Sequence, residues 1–150
     1  MTTLTENNKS TPKVFVDTNV IIDALTERDN NFKPSQQLLR LIAMQKVKGY
    51  ICSKQITDLH YTFRKYYQSK EAAMKSLTVL IGLFELLPLF EGDILASIHA
   101  NMKDFEDALL DEIAKVNMIP YLITNNVSDF KNSKVPAFTP EQFLTIIQLK

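Results

Sequence analysis

The sequence has little cysteine and little glycine, and each shortage excludes a class of site. Cys52 is the one cysteine, so the chain can form neither an internal disulfide nor a cysteine-based zinc site. The three glycines do not fall in the spacings of P-loops, dinucleotide-binding turns or hydrolase nucleophile turns. We therefore expect no nucleotide-cradling loop.

Long apolar runs and an excess of one charge are also missing. No apolar stretch approaches the roughly 20 residues that a membrane helix needs, and the first residues are too polar for a signal peptide. The 17 basic and 17 acidic residues cancel, so a nucleic-acid partner would have to bind a local basic patch. The composition predicts a soluble, cytoplasmic protein that has no membrane partner.

Charge is unevenly distributed along the chain. Residues 46–75 have a local balance of +5, whereas residues 76–112 have a balance of −7. Like charges concentrated in one segment need a reason beyond solubility. Two interpretations stay open: two differently solvated helical faces, or an acidic cation-binding cluster beside a basic surface that faces phosphates.

Short apolar segments alternate with segments of helical periodicity. Residues 1–12 are expected to form a disordered tail, and residues 13–150 a single domain. The predicted strands cover residues 13–17, 50–52, 84–88, 120–124 and 135–138. The predicted helices lie near 20–25, from 34, from 53, at 69–81, 91–101, 104–117 and 140–149, with Ser53, Ser69 and Thr139 as N-caps. This alternation is typical of an α/β fold in which helices cover both faces of a parallel sheet.

Polar side chains follow two of the predicted strands. Asp17 ends the first strand, and Asn125, Asn126 and Asp129 follow the fourth. In an open α/β sheet, ligands bind beyond the carboxyl ends of the strands, so these residues are candidates for a site. For Asp17 an N-cap of the following helix is an equally good interpretation.

A second group of acids lies in the helix predicted at 104–117. Asp104, Asp107 and Asp111 recur at helical spacing and are expected to line one stripe. Carboxylates that converge in this way are what Mg²⁺ or Mn²⁺ requires, although a solvated acidic face remains possible. Asp58, in the basic helix, could enter the same crevice, but a lone helical acid is usually just solvated.

Three segments resemble motifs of the PIN domain family, the nuclease family that includes VapC-type toxins. Residues 14–23 (VFVDTNVIID) look like its opening, and residues 104–108 (DFEDA) with 121–130 (YLITNNVSDF) look like its third and fourth motifs. Residues 135–144 (VPAFTPEQFL) are similar to the usual ending of one bacterial subgroup. The resemblance covers about residues 13–145 and implies a three-layer fold with a sheet of four or five strands ordered 3-2-1-4-5.

The resemblance also implies a set of metal ligands. Asp17 matches the first family acid, Asp58 stands where the family has Glu, and Asp107 matches the third acid. These three are the implied catalytic acids, with Asp104 as an additional ligand of the subgroup. At the fourth position the family's Asp is replaced by Asn126, and Asp129 fills the role from the following turn.

The implied activity is hydrolysis of RNA by a Mg²⁺- or Mn²⁺-dependent endoribonuclease, because bound divalent ions can activate water and neutralise phosphate charge. Thr18 and Asn19 are expected to set the turn after the first strand, and Thr124 to hydrogen-bond Asp17. Lys54, Arg64 and Lys65 are the candidate contacts to backbone phosphates.

The implied partners are a small antitoxin and a second copy of the chain. A homodimer also has a reason within the sequence, because residues 72–89 offer more apolar side chains than one helical stripe and one strand require. In the alternative, the sheet and the helix at 91–101 cover them all.

Two rival functions stay open. The departures at Asp58 and Asn126 would suit a catalytically impaired PIN-like module that binds RNA or a protein partner. A phosphatase or phosphotransfer domain with Asp17 as nucleophile would need a second acid two residues later, where Asn19 stands.

Overall fold

The computed structural model describes residues 10–28, 30 and 32–148. The expected disordered tail therefore lies mostly outside the described residues, as does the predicted end of the last helix at Leu149. Strands β1 to β5 span Lys13–Val16, Lys48–Cys52, Glu85–Leu87, Tyr121–Ile123 and Ala137–Phe138. Helices α1 to α7 span Thr18–Thr26, Phe32–Ala43, Ser53–Tyr67, Lys70–Leu83, Glu91–Ile98, Phe105–Val116 and Pro140–Gln148. A 3₁₀ helix covers Val127–Phe130.

The five strands form one parallel sheet in the order β3-β2-β1-β4-β5, which confirms the predicted topology. The central strand β1 pairs with β2 on one side and with β4 on the other. Parallel strands are short and apolar on both faces because helices cover both faces of such sheets. The polar residues that follow β1 and β4 are consequently neighbours at the carboxyl ends of these two strands.

Successive residues of β1 enter two different cores, as the alternation of a strand requires. Val14 and Val16 pack with apolar residues of α1, α2, α3, α4 and α7. Phe15 points to the opposite face, where Leu110 and Ile113 of α6 cover the sheet and α5 packs against α6. The protein is therefore a three-layer α/β sandwich, as predicted.

Most of the predicted helix starts are present. Ser69 accepts a hydrogen bond from the backbone of Ala72, and Thr139 and Gln142 form the reciprocal capping box before α7. At α3 the N-cap is Cys52 instead of Ser53, because the Gln55 side chain reaches back to accept from the Cys52 amide at 2.8 Å.

The last strand is shorter than predicted. Residues 135–138 were expected to be extended, but β5 begins at Ala137. Val135 does not join the sheet because its amide donates to the Asp111 carboxylate at 2.9 Å. The helix predicted at 91–101 also ends early, at Ile98.

In the described part of the chain, every helix is too short or too polar to cross a bilayer.

Candidate active site

A cleft of about 250 Å³ opens at the carboxyl ends of β1 and β4. It lies between the starts of α1, α3 and α6 and the segment that follows β4. Most of its lining is polar, which is unusual for a ligand pocket and suits a charged ligand. The lining residues are Asp17, Thr18, Asn19, Ile22, Arg28, Lys54, Gln55, Asp58, Glu106, Asp107, Leu110, Asn126 and Asp129.

Asp17 forms the floor of the cleft. Its amide continues the β1–β4 ladder with a 2.8 Å hydrogen bond to Ile123, and its carboxylate accepts the Thr124 hydroxyl at 2.8 Å, as predicted. Burial raises the pKa of the Asp17 carboxyl above its usual range, and the Thr124 hydrogen bond opposes this rise. Asp17 precedes α1, but its side chain makes no capping hydrogen bond. Helix capping therefore does not account for this acid.

Gln55 joins the starts of α1 and α3 beside Asp17, a role that was not predicted from the sequence. The side chain is buried, and its amide group donates to the Val16 carbonyl at 2.9 Å and to the Thr18 hydroxyl at 3.2 Å. Its carbonyl oxygen caps α3 at Cys52. A Gln at the third position of a helix that follows a strand is a capping signature, so this signal was available in the sequence.

Asp107 lines the same cleft from the first turn of α6. Desolvation, followed by the like charges of Asp104, Asp17 and Asp129, raises the pKa of Asp107 to about 7. Asp104 itself is the N-cap of α6, where it accepts the Asp107 amide at 3.0 Å. Asp104 is not among the residues that line the cleft.

Asn126 and Asp129 enter the cleft from the turn after β4. The Asn126 amide donates to the Thr124 hydroxyl at 3.0 Å, and the Asp129 amide donates to the Asn126 carbonyl at 3.0 Å. Asn19 supports the same turn by accepting the Asn125 amide at 3.3 Å. The predicted support residues thus lie around the predicted ligands.

Lys54 bridges two acids on the open side of the cleft. Its ammonium group lies 2.9 Å from Asp58 and 3.0 Å from Glu106. Partial burial acts to lower the pKa of Lys54, but hydrogen bonds to Asp58 and Glu106 hold the pKa above its usual value. The other predicted phosphate contacts, Arg64 and Lys65, are exposed in the last turn of α3 and do not line the cleft.

The sequence profile of the PIN domain matches residues 13–128. The chain belongs to the PIN domain family. The match includes the two segments that carry Asp17 and Asp107.

Ribonuclease VapC1 of Aquifex aeolicus (strain VF5) is 30% identical to this PIN domain over 136 residues, which cover 87% of this chain and 92% of that protein. Among solved structures, VapBC2 from Rickettsia felis, bound to a DNA fragment from its promoter, has a TM-score of 0.64 at 17% identity; the match covers 85% of this chain and 98% of that one. PAE2754 from Pyrobaculum aerophilum has a TM-score of 0.62 at 16% identity, with coverage of 93% and 92%. The two structural likenesses concern the fold.

Arg28 is a cleft residue of this PIN domain that the sequence reading did not single out. Its guanidinium donates to the buried Asp23 carboxylate at 2.9 Å. The Asn125 side-chain amide donates to the other Asp23 oxygen at 2.5 Å. Asp23 thus ties the end of α1 to the turn after β4, through partners that are far apart in sequence.

Asp111 lies one turn after Asp107 on α6, but it is not among the residues that line the cleft. It is buried, and both of its carboxylate oxygens accept backbone amides at 2.9 Å, from Lys134 and Val135. The residue anchors the segment before β5 to α6. The expectation of three acids on one functional face was therefore wrong for Asp111.

The donor atoms of this cleft suit a hard divalent cation. Asp17, Asp107, Asn126 and Asp129 offer carboxylate and amide oxygens, the ligands that Mg²⁺ and Mn²⁺ prefer. A cation would also relieve the like-charge repulsion that raises the pKa of Asp107. Within residues 10–28, 30 and 32–148, no three Asp, Glu, His or Cys side chains are gathered closely enough to hold an ion as they stand. Binding would have to draw the carboxylates together.

Proposed function

We propose that this PIN domain is a ribonuclease that hydrolyses RNA phosphodiesters with a divalent cation, Mg²⁺ or Mn²⁺, held at Asp17 and Asp107. The observation that carries the proposal is the pairing of a buried acid at the carboxyl end of β1 with a second acid in the same cleft, neither of which forms an ion pair with a basic residue in the described part of the chain. Such an arrangement costs folding energy unless a cation is bound.

The substrate class is inferred from the relatives. Ribonuclease VapC1 shares 30% identity over most of both chains. The neutral overall charge of this chain means that RNA must be held by the local basic residues around the cleft, of which Lys54 and Arg28 lie in the lining.

The roles of the residues follow from their positions. Asp17 and Asp107 would hold the cation, and Thr124 fixes the orientation of the Asp17 carboxylate through its 2.8 Å hydrogen bond. Asn126 and Asp129 would complete the oxygen ligands from a turn that Asn19 braces. The bound cation would neutralise phosphate charge and make water more acidic.

Substitution of Asp17 tests the proposal most directly. We expect Asp17→Asn to lower Mn²⁺-dependent cleavage of a single-stranded RNA by about 100-fold or more, a loss typical of removing a key electrostatic group. Glu85→Gln is the matched control, since Glu85 lies at the amino end of β3, away from the cleft. Cleavage and circular dichroism are measured on both variants. Equal cleavage by the wild type and Asp17→Asn would overturn the proposal, and RNA binding without any cleavage would favour a catalytically impaired module.

We also propose a small antitoxin as a protein partner. The solved structure of VapBC2 is one of several toxin–antitoxin complexes whose toxin chains share this fold, at identities below 25%. Co-expression with the product of an adjacent small gene should give a complex in which cleavage is inhibited. Absence of a complex with any neighbouring gene product would contradict this partner.

We also propose that the protein forms a homodimer through exposed apolar residues between positions 72 and 89. The prediction rested on eight apolar residues of this segment: Leu77, Val79, Leu80, Ile81, Leu83, Phe84, Leu86 and Leu87. Leu77, Leu80, Phe84 and Leu87 are buried, whereas Val79, Ile81 and Leu86 are exposed and Leu83 is half-buried. Exposed apolar side chains are typical of interaction surfaces, and identical subunits often associate through them. We expect sedimentation at micromolar concentration to give twice the 17.2 kDa chain mass for the wild type and a monomer for Ile81→Glu. A 17.2 kDa wild-type species across that range would contradict the dimer.

A further inference from the structure

The acids of the cleft fall into two groups that differ in their basic partners. On the open side, Asp58 and Glu106 both pair with the Lys54 ammonium, at 2.9 and 3.0 Å. On the inner side, Asp17, Asp107 and Asp129 form no ion pair with any basic residue in the described part of the chain. The acids that have no basic partner are therefore all on the inner side, whereas the two acids of the open side share one ammonium group.

The position of Lys54 is set by rigid elements. Lys54 is the second residue of α3, next to Gln55, whose hydrogen bonds lock the start of the helix to β1. Asp58 lies one helical turn further along α3, and Glu106 belongs to α6 on the other wall of the cleft. The Lys54 side chain is 23% exposed, compared with 51% for Asp58 and 66% for Glu106, so the lysine is less exposed than the two acids that hold it. Lys54 and Asp17 line the same cleft.

The ammonium group has one N–H donor to spare. Lysine carries three N–H donors, and the two acids use one each, so the third can bind a phosphate oxygen beside the inner acids. A carboxylate oxygen that accepts from an ammonium is also less available to a metal ion. Exposed ion pairs of this kind contribute little to folding stability. Their main effect here is to hold the Lys54 ammonium in one position.

We propose that Lys54 supplies the second positive charge of this active site: the cleft takes a single divalent ion on the inner side, Lys54 contacts the substrate phosphate, and Asp58 and Glu106 are positioning residues for Lys54. This inference deepens the proposed function and rests on it. It also replaces the role of metal ligand that the family resemblance implied for Asp58.

Counting bound ions separates the two roles of Asp58. Mn²⁺ alone, without RNA, is titrated into the wild type, Asp58→Asn, Glu106→Gln and Lys54→Met by calorimetry and by electron paramagnetic resonance. We expect one ion in the wild type, and one ion in Asp58→Asn and Glu106→Gln with a Kd within about threefold of the wild type. Lys54→Met should bind Mn²⁺ several-fold more tightly, because a nearby positive charge has been removed. Asp17→Asn is the positive control for a lost ligand and should weaken Mn²⁺ binding at least tenfold.

Single-turnover cleavage at saturating Mn²⁺ tests the substrate contact. Lys54→Met should lower the rate about 100-fold, and Lys54→Arg should restore part of it. Asp58→Asn should lower the rate less, and Asp58→Asn combined with Lys54→Met should be no slower than Lys54→Met alone, because Asp58 acts through Lys54.

The outcomes distinguish this inference from the proposed function. Two Mn²⁺ ions in the wild type, loss of the ion in Asp58→Asn, or an unchanged rate in Lys54→Met would each overturn the role of Lys54 while leaving the nuclease in place. A wild type that neither binds Mn²⁺ nor cleaves RNA would overturn both.

Discussion

Asp107 and Asp111 lie one turn apart on α6, and the fold treats their charges in opposite ways. Asp111 is 4% exposed, and the amides of Lys134 and Val135 both donate to it at 2.9 Å. Asp107 is half-buried among like charges, and its pKa rises to about 7. A buried acid that is fully hydrogen-bonded stabilises the fold, whereas one surrounded by other acids is destabilising until a cation arrives.

Other buried acids in the described part of the chain follow the pattern of Asp111. Asp93 accepts the Phe90 amide at the start of α5, and Asp23 is held by Arg28 and Asn125. Burial alone therefore does not identify a functional acid in this protein. The distinguishing property is the presence of other acids that share the site, as Asp17, Asp104 and Asp129 do around Asp107.

The largest effect that tests this comparison is the loss of stability expected on substitution of Asp111. Asp111→Asn leaves a backbone amide facing another donor, so we expect the free energy of unfolding to fall by about 2–3 kcal/mol. The substitution should change cleavage by the folded protein less than about threefold. Urea denaturation measures the first quantity and an RNA cleavage assay the second, with the surface variant Glu85→Gln expected to cost less than about 1 kcal/mol. A large loss of RNA cleavage without a loss of stability in Asp111→Asn would mean that Asp111 has a functional rather than a structural role.

A smaller effect should appear in the pH dependence of stability at Asp107. The folded protein keeps the Asp107 proton up to a pKa of about 7, whereas the unfolded chain loses it near 3.8. Between these values the folded state binds more protons, so this group lowers the free energy of unfolding as pH rises through that window, and its effect is constant above it. Asp107→Asn should therefore be more stable than the wild type at pH 8 and nearly equal to it at pH 4.

Thermal unfolding of both proteins in the absence of divalent ions measures this difference. Repeating the pH 8 measurement with Mn²⁺ is the control, since the ion should stabilise the wild type and have little effect on Asp107→Asn. A stability difference that is the same at pH 4 and pH 8 would mean that like charges do not act on Asp107.

The sequence predicted the strands and most helix starts because those depend on local signals, whereas the strand order followed from the resemblance to the PIN family. Strand alternation and caps such as Ser69 are visible within a few residues. The position of Asp17 was also predictable, since it ends the central strand. The hydrogen bond from Thr124 to Asp17 was predictable for the same reason, because Thr124 follows the neighbouring strand β4.

The partners of the other acids were not visible in the sequence. Asp111 falls near the face of Asp107 on a helical wheel, and only the packing of residues 134 and 135 against α6 gives it a structural role. Asp23 and Asn125 are 102 residues apart, and Gln55 and Val16 are 39 apart. Contacts at such separations depend on the tertiary fold, which periodicity does not report.

The smallest expected effect is on RNA binding by the basic residues of α3. This helix carries one lysine in the cleft, Lys54, and another on the exposed surface, Lys65. Lys65 lies three turns from Lys54 on nearly the same helix face, but it is exposed and has no acid holding it among the described ion pairs. If RNA continues along α3 from the cleft, Lys65→Gln should weaken RNA binding only a few-fold and reduce the slope of log K against log salt concentration by about 0.7, the value for one phosphate contact on a single strand. Cleavage at saturating RNA should not change, because a mobile surface lysine adds to binding without reaching the reacting phosphate. Fluorescence anisotropy across a series of salt concentrations measures the slope, with Lys75→Gln on α4 as the charge-matched control. An unchanged slope for Lys65→Gln would mean that the RNA leaves the cleft in another direction. Of these two lysines of α3, only Lys54 would then contact the RNA.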